Sequence, residues 1–364
     1  MTTADHLSRR RVLGILSGAA VAGAGAAGTR RFLHQGGANA PATGPGSTSA
    51  TRSTPSTTSA PSTTTAESST TTTEAEPVVY EPEQVTPYAT VAGEVEPEAK
   101  LTAARFAEVL TTYRSDEDPA LAVRRALEVT ASPLALGAAI ARVGPLLRPD
   151  EASWGEVVYP QLGGLDPHDD PRRCSVMVVI DQHQAGGWGR RTVGRCLDLR
   201  LGRAADGAWR IEDIGDVSGD AVAEPPGPSD GMRAVLEHPA ITMPDSVRWD
   251  IHEGLVDDRV LEELVLLADR APIGVATCRR GHPEHVFGTN RVSAHMVGRA
   301  VDVWSVDGPL VQQREEGSAA YRLTRDIARS GRVSNLGSPW PFAHEAPGSF
   351  TDPVHQDHLH LGFR

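Results

Sequence analysis

Ser293-Ala-His-Met-Val-Gly-Arg-Ala-Val-Asp302 is the stretch from which the fold of the C-terminal third is read. Gly298 permits a sharp turn, so 293–298 reads as a loop. The chain then enters a strand in which Ala300, Asp302 and Trp304 share one face. Asp302 thus stands among Ala300, Val301, Val303 and Trp304, where a carboxylate is costly unless it is paired or bound to a cation. The small Ala300 leaves space for His295 to reach the same centre from the loop. Near the end of the chain, His358-Leu-His360 puts two imidazoles on one face of a terminal strand, with Gly362 following on that face. Two imidazoles and a carboxylate are the donor set of an open zinc site whose fourth position holds water. His295, Asp302 and one of His358 and His360 supply that set.

Ser293, His295, Gly298, Ala300 and Asp302 match every defined position of the motif Ser-x-His-x-x-Gly-x-Ala-x-Asp. The segment 255–364 therefore resembles the zinc D-alanyl-D-alanine peptidases and their hedgehog-like relatives, in which a C-terminal His-x-His or Glu-x-x-His follows that motif. The resemblance implies an α+β domain with a small antiparallel sheet, a zinc cofactor, and hydrolysis of peptidoglycan stem peptides. Carried over by position, it makes His295, Asp302 and His360 the metal ligands. In the Glu-x-x-His branch the general base lies three residues before the last ligand. Here that position is Asp357, one methylene shorter, and in a regular strand it would point away from His360. The His-x-His branch fits without change and assigns proton handling to His358, the favoured residue of the two.

The same family uses an upstream arginine to hold a developing oxyanion or the substrate carboxylate. Arg279 and Arg280 are the candidates, Arg280 foremost, with exposed loop arginines as the alternative, since Cys278-Arg-Arg-Gly-His departs from the usual Ser-Gly-Tyr-Arg. His282 and His285 have no partner at metal spacing and read as surface or supporting histidines. The competing function is an inactive zinc-containing module that binds cell-wall peptides or a partner; metal without release of peptide fragments would select it.

Working outward, 232–364 forms the peptidase-like domain, with helices expected at 257–270 and 318–330 and strands at 273–278, 300–306, 333–338 and 358–363. A Pro/Gly hinge is expected at 217–231. Before it, 90–216 reads as a second α+β domain, with helices at 98–114, 119–129 and 133–147, then strands at 155–162, 174–183, 192–202 and 208–214. Helices followed by a curved sheet resemble the cone fold of nuclear-transport-factor and ketosteroid-isomerase proteins, a fold that does not set function. Asp181, His183 and Asp213 read there as solvated face residues, and the domain as a structural or partner-binding element. Cys174 and Cys196 lie in neighbouring strands, as a disulfide or as two small buried thiols; Cys278 reads as buried.

The N-terminal 1–38 carries Ser8-Arg9-Arg10-Arg11-Val12-Leu13 ahead of an apolar run at 12–28, a twin-arginine-type export signal that a retained membrane tether would also fit. The Thr/Ser/Pro-rich 39–80 has almost nothing to bury and reads as a disordered linker. Together they predict an exported, extracytoplasmic protein of two folded domains. A formal charge of −12 and a pI near 5.5 argue against a nucleic-acid partner. Lys100 is the only lysine.

Overall fold

Three helices open the folded chain: α1 (Pro97–Leu110), α2 (Pro119–Val129) and α3 (Leu136–Val143). Proline at the first turn suits α1 and α2, and the Asp118 side chain accepts from the Ala120 amide to cap α2. Four strands follow, β1 (Ala152–Asp166), β2 (Arg173–Gly186), β3 (Gly189–Arg203) and β4 (Trp209–Asp216), in an antiparallel sheet of that order. The computed structural model describes residues 78–166, 172–220 and 228–364. The segments expected to be an export signal and, for nearly all of its length, a linker lie outside them, and no described helix is long and apolar enough to cross a membrane.

The first sheet is buried on both faces. On one, Val176, Val178 and Ile180 of β2 and Leu197, Leu199 and Leu201 of β3 pack with Phe106 and Leu110 of α1. On the other, Tyr159, Met177, Val179 and Cys196 meet Ala276, Trp304 and Leu310 of the C-terminal half. Two-sided burial makes β2 a nearly continuous apolar run in place of a clean alternation. It also separates the thiols: Cys174 faces the helices and Cys196 the opposite side, so the alternative of a disulfide gives way to three free, buried cysteines.

The C-terminal half holds α4 (Asp230–Leu236), β5 (Ile241–Thr242), α5 (Asp245–His252), α6 (Asp258–Ala268), β6 (Ile273–Thr277), β7 (Ala300–Val306), α7 (Ala319–Ser330), β8 (Asn335–Gly337), β9 (Ser349–Phe350) and β10 (Leu359–Gly362). Its sheet runs β5-β6-β7-β10-β8-β9. The expected small antiparallel sheet is corrected to a mixed, six-stranded one: β6, β7, β10 and β8 are antiparallel neighbours, but β5 and β9 add parallel edges. Those two-residue strands carry no periodic signal of their own. Val301, Val303, Leu359 and Leu361 pack against α6 and α7 through Leu261, Leu264, Leu323 and Ile327. The alternate residues, Asp302, Trp304 and His360, turn the other way, toward β1, as period-2 geometry requires. Trp304 stacks on Tyr159 with ring centroids 5.1 Å apart.

The regions 90–216 and 232–364 thus keep separate sheets yet pack as one compact unit. The expected hinge is anchored at both ends: Val217 and Ser218 are buried, Ser218 donates to the Cys196 carbonyl, and Ser229 caps α4. Residues 221–227 of that hinge lie outside the described part.

Asp257 caps α6 through the Arg259 amide, and the Arg259 guanidinium grips both carboxylate oxygens at 2.8 and 2.7 Å. That hydrogen-bonded guanidinium holds the Asp257 carboxyl down at about 2. A carboxyl depressed on folding contributes stability that is complete above its unfolded value, and loses it as pH falls through the folded one. Asp257→Asn keeps a capping oxygen but cannot titrate. Urea unfolding should show the wild type ahead of it at about pH 5 and the gap closing by about pH 2; a gap independent of pH would contradict this.

Candidate metal centre

The loop at 293–298 ends in a short 3-10 turn, His295–Val297, closed by Gly298 at φ 69°. A Cβ on Gly298 would meet the Leu255 carbonyl at 1.9 Å, so the turn needs glycine to bring His295 under the sheet. His295 donates from Nδ1 to the Cys278 carbonyl at 2.8 Å. A carbonyl can only accept, so Nδ1 carries a proton and Nε2 is the nitrogen that can offer a lone pair to a cation. That Nε2 lies 3.2 Å from Asp302 Oδ1 and 3.2 Å from His360 Nδ1. Strand register puts His360 directly opposite Asp302, and His360 Nδ1 lies 3.0 Å from the same oxygen. Three ligand-capable atoms therefore form a triangle with sides of 3.0, 3.2 and 3.2 Å. Tetrahedral bonds of about 2.0–2.1 Å to nitrogen and oxygen place ligand atoms about 3.3 Å apart, so the set fits a small divalent ion.

His282 joins this group. Its ligand atom and those of His295 and Asp302 all lie within 4.8 Å of one another, and these three residues can hold a metal. Its ring stacks on His295 at 3.9 Å between centroids, and its Nδ1 donates to the Pro283 carbonyl at 2.8 Å, leaving Nε2 unprotonated. The sequence reading set His282 aside because nothing in its spacing from His295 marks it.

The protonation states suit metal binding, which needs neutral imidazole and ionised carboxylate. Burial lowers His360 to about 4, against the pull of Asp302, and holds His282 well below the ordinary histidine value. Burial alone would raise the Asp302 carboxyl, but the surrounding imidazoles outweigh it and keep the group well below the carboxylate range.

Behind the centre stands a second layer. His358 Nε2 lies 3.9 Å from Asp302 Oδ2, and its Nδ1 is 2.6 Å from Asp357 Oδ1. Burial lowers the His358 pKa, but the Asp302 and Asp357 carboxylates more than reverse this and raise it. Asp357 sits where the turn Val354–Gln356 enters β10 and faces away from the metal-capable atoms. Its Oδ2 meets the Leu162 amide at 2.9 Å and Lys100 Nζ at 2.6 Å, the latter an ion pair by distance more than an aligned hydrogen bond. Lys100 also lies 3.3 Å from Glu94, and all three side chains are fully buried.

The cleft above the centre has a volume of about 530 Å³. Leu162, Gly163 and Gly164 form part of its lining, together with His282, His358 and His360. Arg280 stands elsewhere: Asp250 and Glu253 hold its guanidinium at 2.7 Å each, and the cationic side chains lining the cleft are Arg291 and Arg299. His183, in the first sheet, bonds Thr192 and stacks on Trp154, remote from this chemistry.

No family model, no curated protein and no solved structure matches the chain.

Proposed function

We propose that this chain is an exported zinc-dependent peptidase acting on peptidoglycan stem peptides, with His295, Asp302 and His360 as the protein ligands. The observation that carries the reading is the triangle of their donor atoms at 3.0–3.2 Å, with one side open to a cleft. His360 is taken as the third ligand because its Nδ1 lies 3.2 Å from His295 Nε2 and 3.0 Å from Asp302 Oδ1. The motif at 293–302 supports the peptidase assignment, and the basic and apolar N-terminus at 1–38 supports export. When bound, zinc supplies Lewis-acid polarisation of a carbonyl and lowers the pKa of a water to about 7.

The chain's own residues divide the remaining work. The Cys278 carbonyl fixes the His295 tautomer. Asp357 accepts a hydrogen bond from His358 Nδ1–H, so His358 Nε2 is the nitrogen placed to accept a proton and deliver it to the leaving amine. Asp357 is then a positioning residue, the part an acid plays behind the histidine of a hydrolytic triad. Arg280, with both arms held by Asp250 and Glu253, is assigned no contact with substrate.

The test is metal analysis of the purified chain, followed by peptidoglycan digestion with and without chelator, read by mass spectrometry. Expected are about one zinc per chain and chelator-sensitive release of D-alanine or a stem fragment. Zinc without release would favour the binding module, and absence of zinc would end the reading. His358→Ala should retain zinc while turnover falls about 10²- to 10⁴-fold; unchanged turnover would remove His358 from proton transfer.

A further inference from the structure

We propose that β1 of the N-terminal sheet supplies the outer layer of the metal centre, and that Gln161 holds Asp302 so that one oxygen alone faces the ion. The inference rests on the metal-centre reading above.

β1 is the edge strand of its sheet, with register shifts between Val157 and Tyr159 and between Leu162 and Gly164. Such shifts bend a strand and re-aim its side chains. Between them, Tyr159 and Gln161 share the face turned to β7, while Leu162 joins the helix-side core. Gln161 Nε2 donates to Asp302 Oδ2 at 2.7 Å. The amide orientation follows from chemistry, because its carbonyl cannot face an oxygen that only accepts. One carboxylate oxygen is thereby occupied, and Oδ1 is left beside His295 Nε2 and His360 Nδ1. The same stretch holds the neighbouring pair: the Tyr159 hydroxyl donates to the Asp357 carbonyl at 2.6 Å, and the Leu162 amide to its carboxylate at 2.9 Å.

Packing does not account for Gln161. It is fully buried, and its Oε1 has no hydrogen-bond partner among the described residues. A buried amide with half its capacity unused is worse for stability than an apolar residue of similar volume. Its remaining use is the grip on Asp302, the kind of partner that orients a ligating carboxylate.

Zinc affinity of the full chain, measured by competition with a chromogenic chelator, tests this in Gln161→Leu and Gln161→Met, the second standing in should the first not fold. Expected is a loss of about 10- to 100-fold, while the chelated variants melt no lower than the chelated wild type. A purely structural residue would do the reverse, lowering the melting temperature and sparing affinity. A folded variant within about twofold of wild-type affinity overturns the assignment of Gln161 and leaves the zinc reading intact. A wild type that takes up no zinc defeats the reading and this inference together.

Discussion

Asp302→Ala should leave the purified chain without bound zinc. The substitution removes the carboxylate oxygen that His295 Nε2 and His360 Nδ1 both approach, at 3.2 and 3.0 Å. It also removes the negative charge that favours a cation in a buried pocket. What remains is two imidazoles at 3.2 Å, with the Gln161 amide pointing into the space left by its acceptor. Altering a residue that merely supports a ligand weakens metal sites about 10- to 100-fold, so losing the ligand itself should exceed 100-fold. Dialysis against dilute chelator followed by elemental analysis reads the effect, with circular dichroism to establish that the fold persists. Stoichiometric zinc in a folded Asp302→Ala protein would move the centre to His282, His295 and His360.

The second large effect is expected at Lys100. Lys100→Met should destabilise the chelated protein by about 3–5 kcal/mol, the range for removing one partner of a buried ion pair. Methionine matches the stem, so little packing is lost; the damage is electrostatic. Asp357 and Glu94 would both stay fully buried without their shared cation. Asp357 has a protein amide and His358 for company, and Glu94 has the Tyr88 hydroxyl and the Val91 amide, so neither is wholly stranded. Adding Asp357→Asn to Lys100→Met should recover part of the loss, because it removes one of the two uncompensated charges. Urea unfolding of the four proteins in this cycle measures the coupling. A single-variant loss below about 1 kcal/mol would mean that water or the remaining partners screen the pair.

Much of the secondary structure was legible because it is periodic. The helix expected at 119–129 and the strand at 300–306 coincide with α2, which the Asp118 side chain caps, and with β7, a run buried along its whole length. Short elements without a repeat, such as β5 and β9, left no trace. Along α1 the large apolar Phe106 and Leu110 are buried, but Leu101 is exposed, and Lys100 lies on the buried face beside Ala99, Ala103, Ala104 and Ala107. Alanine carries little hydrophobic signal, so the helix face that receives Lys100 could not be picked out by counting large apolar residues.

The residues in and around the candidate metal centre divide in the same way. His295, Asp302 and His360 were readable because glycine at 298 forces a turn and strand period sets the side-chain faces; both are local constraints on the backbone. His282, Gln161 and Lys100 were not. His282 reaches the centre by stacking on His295, a contact between segments with no common period. Gln161 and Lys100 lie 141 residues from Asp302 and 257 from Asp357 respectively, and they arrive only because two sheets share one apolar seam around Tyr159 and Trp304. Sequence alone determined which side chains stand on one face of a strand, since that follows from the geometry of neighbouring residues. Only the tertiary structure decided which faces meet, because that depends on burial summed over the whole chain, and it was this meeting that put the sole lysine beneath the Asp357–His358 pair.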